Sequence, residues 1–205
     1  MGRVTISFTD FGFAAFYQID INPEYPTKGE WEIPNFQFGG TSKDLTIRVR
    51  PSQTKPWVAS FALEADYLIG LFACPNPDQL LVAVGIHAYL LDATRPGHAD
   101  DLPIRPVVHV QRPSGTDLLV AGSFTNLAAI DSSGLRWITG RLFNDDLELV
   151  DGPPGKIYVR GCVNSVPSDE ELLVIDPSRG ELIEGRRYTD FAHPDGEPVW
   201  YRRGI

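Results

Sequence analysis

Four histidines, His87, His98, His109 and His193, are the residues of this sequence suited to act as a neutral-pH general base or as a borderline metal ligand. The stretch "GHADD" sets His98 three positions before Asp101, with Asp100 between them, so one loop could offer an imidazole and two carboxylates to a cation. A polar surface loop accounts for the same residues, and no metal is assigned to them. Paired carboxylates suggest a second chemistry. Asp145 and Asp146, with Glu148 and Asp151 close by, form one acidic group, and Asp169, Glu170 and Glu171 form another. Two carboxylates flanking one bond are what glycoside hydrolysis needs. Neighbours on a strand, however, point to opposite faces. Asp145, Asp146, Asp169, Glu170 and Glu171 therefore read as an acidic binding surface, and the catalytic residues of any reaction stay unassigned.

Other recognisable chemistry is absent from the sequence. The nucleophile elbow G-x-S-x-G, the zinc motif H-E-x-x-H, the P-loop and G-x-G-x-x-G do not occur, so the enzyme classes they mark lose support. Cys74 and Cys162 stand far apart with no metal-type or redox spacing and read as free core thiols. No cofactor is expected.

The formal net charge of −9 argues against a nucleic-acid or anionic-membrane partner, because such binding is driven by Lys and Arg displacing counterions. A basic protein partner is compatible with it. The opening "MGRVTISFTDFGF" interrupts any apolar run with Thr5, Ser7, Thr9 and Asp10, unlike a secretory signal, and no run approaches the ~18 residues of a membrane helix. A cytoplasmic protein is the expectation.

The elements that would position these groups are short. Seventeen prolines and 19 glycines divide the 205 residues into brief segments, the punctuation of an all-β chain. The hydrophobic fraction of 42% with 22% charged residues is that of a folded globular protein rather than a disordered one. Within it a pattern recurs: an apolar pair, an Asp, then a turn glycine, at Asp92 with Gly97, Asp131 with Gly134, and Asp176 with Gly180. In such a turn the carboxylate accepts a bond from the backbone two residues on, and glycine takes positive φ. The best preserved unit reads as strands over Leu118–Phe124, Asn126–Ile130 and Leu135–Leu142, with a half-buried fourth at Leu147 and Leu149. The stretch before Leu80 fits as "EIPNFQFGG", "DLTIRVR", "PWVASFALEA" and "DYLIGLFACP".

The expected fold is one all-β domain over 1–205 with about four antiparallel four-stranded meanders in a propeller-like arrangement. The candidate units are 29–78, 79–116, 117–155 and 156–205, with N-terminal strands in 1–28 that could close the last unit. An α+β fold or a β-sandwich is the alternative. The α+β case rests on "NPDQLLVAVGIHAYLLDATRPG", where Asn76 could cap a helix, Pro77 open it and Gln79 complete a capping box. Gly85 and the β-branched Val82, Val84 and Ile86 favour strands there instead.

Through "AAIDSSGLRWITGRL" and "LLVIDPSRGELIEGRR" the sequence resembles β-propeller repeats of the WD40 and quinoprotein-like kind. These stretches cover about a seventh of the chain. It lacks the Trp-Asp dipeptide, and the quinone-cofactor enzymes of this kind are far longer, so the resemblance implies a shape and no cofactor. The second half is also similar to short uncharacterised bacterial proteins, through "DDLELVDGPPGKIYVRG" followed by "VIDPSRGELIEG".

Together these readings favour a non-enzymatic module, bacterial in kind, that binds another protein and resembles the acidic neutralising partner, of immunity or antitoxin type, of a basic protein. A small hydrolase or lactonase using carboxylates at a propeller channel is one alternative. A structural module that self-associates, such as a homodimer, is another. In "PVWYRRGI" at the end of the chain, Trp200 flanked by Arg202 and Arg203 has the composition of a binding hot spot.

Overall fold

Apolar runs cut by glycine and proline fold here into strands of two to seven residues, and no helix occurs among the described residues. The computed structural model describes residues 6–29, 31–163 and 170–186. Asp169, His193 and the segment "PVWYRRGI" lie outside them. In chain order the strands are β1 (Phe8–Thr9), β2 (Tyr17–Ile21), β3 (Asn35–Phe38), β4 (Leu45–Pro51), β5 (Trp57–Phe61) and β6 (Ile69–Ala73). They continue as β7 (Gln79–Val84), β8 (His87–Asp92), β9 (Ala99–Asp101), β10 (His109–Gln111), β11 (Leu119–Gly122) and β12 (Leu127–Asp131). The last five are β13 (Gly134–Ile138), β14 (Asp145–Val150), β15 (Ile157–Cys162), β16 (Glu170–Ile175) and β17 (Leu182–Glu184).

These strands form four sheets, so the chain is all-β. Their orders are β2-β4-β5-β3, β1-β6-β7-β8-β9, β10-β11-β12-β13 and β14-β15-β16-β17. Most neighbours are antiparallel, as the meander reading expects. Two pairs are parallel: β3 runs beside β5, and β1 runs beside β6 with Phe8 opposite Leu71.

The grouping of the strands differs from the expected units. The stretch "DYLIGLFACP" was expected to end one meander but holds β6, which pairs with β7. Likewise Leu147 and Leu149 lie on β14, which pairs with β15 and so opens the last sheet rather than closing the third. Antiparallel hairpins look alike locally, and what separates one sheet from the next is a missing set of backbone hydrogen bonds that hydropathy does not record.

The helix alternative for residues 77–93 gives way to the β7–β8 hairpin, paired from Gln79 opposite Asp92 to Val84 opposite His87. Asn76 does act locally, as a cap-like residue expects to: its side-chain oxygen accepts the Asp78 N–H at 3.0 Å and its carbonyl accepts the Gln79 N–H at 2.9 Å. The turn it makes feeds a strand.

The chain divides into two compact units, Met1–Val107 with Asp131–Gly134, and Val108–Ile130 with Leu135–Ile205. In the first, one face of β4 (Leu45, Ile47, Val49) meets Trp57 and Phe61 of β5 and Leu80, Val82 and Leu91 of the β7–β8 hairpin in a single core. Phe38, Phe61 and Tyr89 gather there with ring centroids 5.3 to 5.7 Å apart. In the second, Val120, Leu127, Phe143, Leu147, Val159 and Leu173 form the core. β5, β11 and most of β7 are buried on both faces, which explains why they read as continuous apolar runs rather than alternating ones.

Candidate functional site

The three recurring aspartates have the same local duty. An oxygen of Asp92 accepts the backbone N–H of Thr94 at 2.9 Å and its hydroxyl at 2.7 Å. Asp131 treats Ser133 identically, at 2.7 and 2.5 Å, and Asp176 treats Ser178 at 2.7 and 2.5 Å. Gly97, Gly134 and Gly180 follow with positive φ. Each carboxylate is thus engaged inside its own turn. The Ser178 hydroxyl and N–H hold Asp176 below the usual carboxylate range. Burial pushes Asp92 up, but the Thr94 hydroxyl, Arg95 and the Thr94 N–H outweigh it and leave that group low as well.

The described acidic residues singled out from sequence, Asp145, Asp146, Glu170 and Glu171, meet on the β14–β17 sheet, but not all on one face. Side chains directly opposite each other across a strand pair share a face. Asp145 pairs with Cys162 and Cys162 with Glu170, so the two carboxylates flank that thiol on one face. The next row on the face is Glu148, Arg160 and Leu172. Arg160 lies 2.6 Å from Glu148 and 3.8 Å from Glu170, and its hydrogen bond holds the Glu148 carboxyl below its usual range. Leu172 is 52% exposed.

Glu171 departs from the group. It sits opposite Gly161 on the other face and pairs with Arg186 at 3.3 Å. Asp146 falls in the irregularity between Asp145 and Glu148, where its φ of 58° marks a bulge that reorients the side chain. Its carboxylate lies 3.9 Å from the Cys162 sulfur. Burial, then Asp146, Glu170 and Asp145, raise the Cys162 thiol above its ordinary value.

His98, Asp100 and Asp101 do not converge. β9 places Asp100 opposite Leu90 and Asp101 opposite Tyr89, so alternation sends the two carboxylates to opposite sides. Among the described residues no group of three or more His, Cys, Asp and Glu is placed to hold a metal ion. Asp101 faces His87 instead, 3.6 Å from its Nδ1, while Glu64 lies 3.7 Å from Nε2. Arg105 binds the same Asp101 carboxylate, and the His87 ring stacks on Tyr89 at 5.7 Å. Nδ1 of His87 is buried without a hydrogen-bond partner. Burial first, with Asp101 adding to it, raises the Tyr89 hydroxyl. The imidazole is thus flanked by two carboxylates, each beyond hydrogen-bond distance; Glu64 is the member that no sequence spacing suggested.

A cavity of about 480 Å³ lies in the first unit, lined by Pro26, Lys28, Trp31, Ile33, Arg48 and Arg50 among others. Sequence reasoning did not single it out, although "TIRVR" carries the signal: Arg48 and Arg50 are two apart on one strand and share a face.

No known protein-family model matches the sequence, and no curated protein matches it significantly. No helix of the described residues is long and apolar enough to cross a membrane.

Proposed function

We propose that the protein acts by binding another protein, and that it takes a basic partner on the exposed face of the β14–β17 sheet. The observation that supports this most is Leu172, half out in solvent in the middle of a strand, with Glu170 two residues before it and Arg160 and Glu148 in its own row. An apolar side chain ringed by charge is the anatomy of an interface centre and its rim.

Glu148 and Glu170 lie 2.6 and 3.8 Å from the one guanidinium, Arg160, while Asp145 and Asp146 stand beside Cys162, so four carboxylates and one guanidinium leave this part of the sheet acidic. The chain's net charge of −9 adds long-range attraction for a cation-rich surface, which speeds encounter and selects against acidic partners. A neutralising partner of a basic toxin or nuclease is the form of this function that fits such a surface. Arg160 tethers Glu148 and Glu170, so a partner meets carboxylates already ordered.

Calorimetric titration with small basic proteins, nucleases among them, tests the reading. Binding is expected for a subset, about tenfold weaker at ~0.3 M than at ~0.05 M salt. Leu172→Ser, and separately Glu148→Gln with Glu170→Gln, each weaken it by about tenfold. Association indifferent to salt and to both changes removes the proposal. Sedimentation of the protein alone checks the self-associating alternative, for which the same Leu172→Ser change shifts the mass.

A further inference from the structure

Strand order alone demands that something cross the first sheet. β2 and β3 are consecutive in the chain yet occupy opposite edges of the order β2-β4-β5-β3. Three interstrand steps span roughly 14 Å. The connection from Asn22 to Pro34 is 13 residues and could extend over about 43 Å. It therefore has slack. The core occupies the face of β4 that carries Leu45, Ile47 and Val49, and the segment lies over the other face, where Trp31 stacks on Arg48 with 5.2 Å between guanidinium carbon and ring centre. Residues of this segment, Pro26, Lys28, Trp31 and Ile33 among them, line an open cavity of about 480 Å³ together with Arg48 and Arg50 of β4.

The chemistry of the lining runs against that of the chain. Lys28, Arg48 and Arg50 face one carboxylate, Glu32, in a protein whose net charge is −9. Asp20, opposite Arg48 across the strand pair, lies 2.6 Å from Arg50 and 3.8 Å from Arg48, so a single carboxylate serves two guanidiniums. Between them they carry ten N–H donors. The Nε of Arg48 and the Nε1 of Trp31 are both held out of water with no hydrogen-bond partner. Unpaired buried donors are scarce in folded proteins and each is costly. Here two of them belong to adjoining side chains that line the same cavity.

Apart from Thr27, the remaining walls are apolar. Pro26, Ile33 and Pro56 stand around Trp31, and Tyr25 meets Trp31 edge-on at 5.5 Å. Lys43 sits 5.5 Å from the centre of the Tyr25 ring, so two aromatic rings in contact, Tyr25 and Trp31, stand between two cations, Lys43 and Arg48. This ladder braces the Trp31 indole.

We infer that this cavity binds a small organic oxyanion, a carboxylate or phosphate borne on a flat apolar body. The oxyanion meets Arg48 and Arg50, whose planar donor forks match it, with Lys28 adding charge from the crossing segment. The flat body lies among Trp31, Ile33 and the two prolines. Small-molecule sites commonly have this make-up, mostly apolar with a few convergent polar groups, and a volume in this range. The site is in the first unit and stands independently of the protein-binding face proposed on the second.

Two-dimensional ¹H–¹⁵N spectra of the whole chain test the inference through the Trp31 indole N–H, identified as the signal missing from Trp31→Phe. The probes are benzoate, phenyl phosphate, inorganic phosphate and benzyl alcohol. Benzoate or phenyl phosphate is expected to shift that signal saturably, with a Kd of about 1 mM or below. The neutral alcohol, and inorganic phosphate with its missing flat body, bind about tenfold more weakly or worse. The better of the two aryl anions tells a carboxylate site from a phosphate site. Arg50→Gln and Lys28→Gln each reduce the affinity of the aryl anion, the former by about tenfold. If Arg50→Gln loses the dispersed spectrum of a folded protein, Lys28→Gln, on an exposed position of the segment, carries the comparison. An indole signal that neither aryl anion moves, equal binding of benzyl alcohol, or affinities unchanged in the folded variants overturns the inference.

Discussion

The indole Nε1–H of Trp57 donates to the carbonyl of Ala93 at 2.8 Å, tying the first residue of β5 to the turn that leaves β8, with both partners shut off from solvent. Trp57→Phe keeps most of the ring volume but strands that carbonyl, which costs about 1–3 kcal/mol. Trp57→Ala adds a cavity and costs about 3–5 kcal/mol. Urea unfolding should show both as a lower midpoint with little change in slope.

Stability should decline in acid, and the turn aspartates set the window. Asp92 and Asp176 are depressed in the folded state, as is Asp44, which accepts the Leu63 N–H at 2.8 Å and the Ser42 hydroxyl at 2.6 Å. A carboxyl with a lowered folded pKa contributes stability that is complete above the unfolded value of about 3.9 and fades as pH falls through the folded value. Melting temperature is therefore expected to hold level from pH 7 to about 5 and to drop below about 4. Asp92→Ala should lower stability by about 1–3 kcal/mol at pH 7 and flatten part of that acid limb.

Two glycines with positive φ should respond unequally to alanine. At Gly85, φ is 61° and an added Cβ would stand 2.8 Å from the Ala65 carbonyl oxygen; at Gly155, φ is 84° and nothing lies within 4 Å. Gly155→Ala carries only the conformational penalty, about 1–2 kcal/mol. Gly85→Ala carries that and a backbone collision, so it is the more damaging of the two. Side-by-side chemical denaturation ranks them, and equal losses would contradict the close approach.

Neither thiol should react readily in the native protein. Cys74 is fully buried, and burial raises its thiol far above the usual value; Cys162 is raised by burial and the acidic groups around it. Since the thiolate is the nucleophile, a chromogenic disulfide reagent at pH 7.5 should find no fast-reacting group until denaturant is added, and then two. Asp146→Asn takes one negative charge from beside Cys162 and should speed the reaction of that thiol alone.

Much of the local structure is legible in the residues themselves. The runs around Leu80, Leu119 and Leu127 declare strands because β-branched and apolar residues pack on a pleated surface, and the Asp-x-Ser/Thr turns follow from carboxylate geometry two residues away. Sheet membership is not local. Leu71 finds Phe8, and Val58 finds Asn35, through parallel pairings that no hairpin announces. The acidic surface was half legible for the same reason: Glu170 and Glu171 are adjacent in sequence, yet the pleat separates them, and only the register places Asp145 with Glu170. His87 was visible as an imidazole, whereas Glu64 reaches it from a connecting segment. The cavity was hidden because its wall is a long crossing, whose path follows from strand order rather than from any pattern of residues.

β1 has only two residues, but it covers the outer side of β6, whose Gly70 to Ala73 are buried. A ribosome releases Phe8 well before Leu71. The guard is thus already outside the exit tunnel when the strand it shields emerges, and neighbouring nascent chains have little time to compete for that margin.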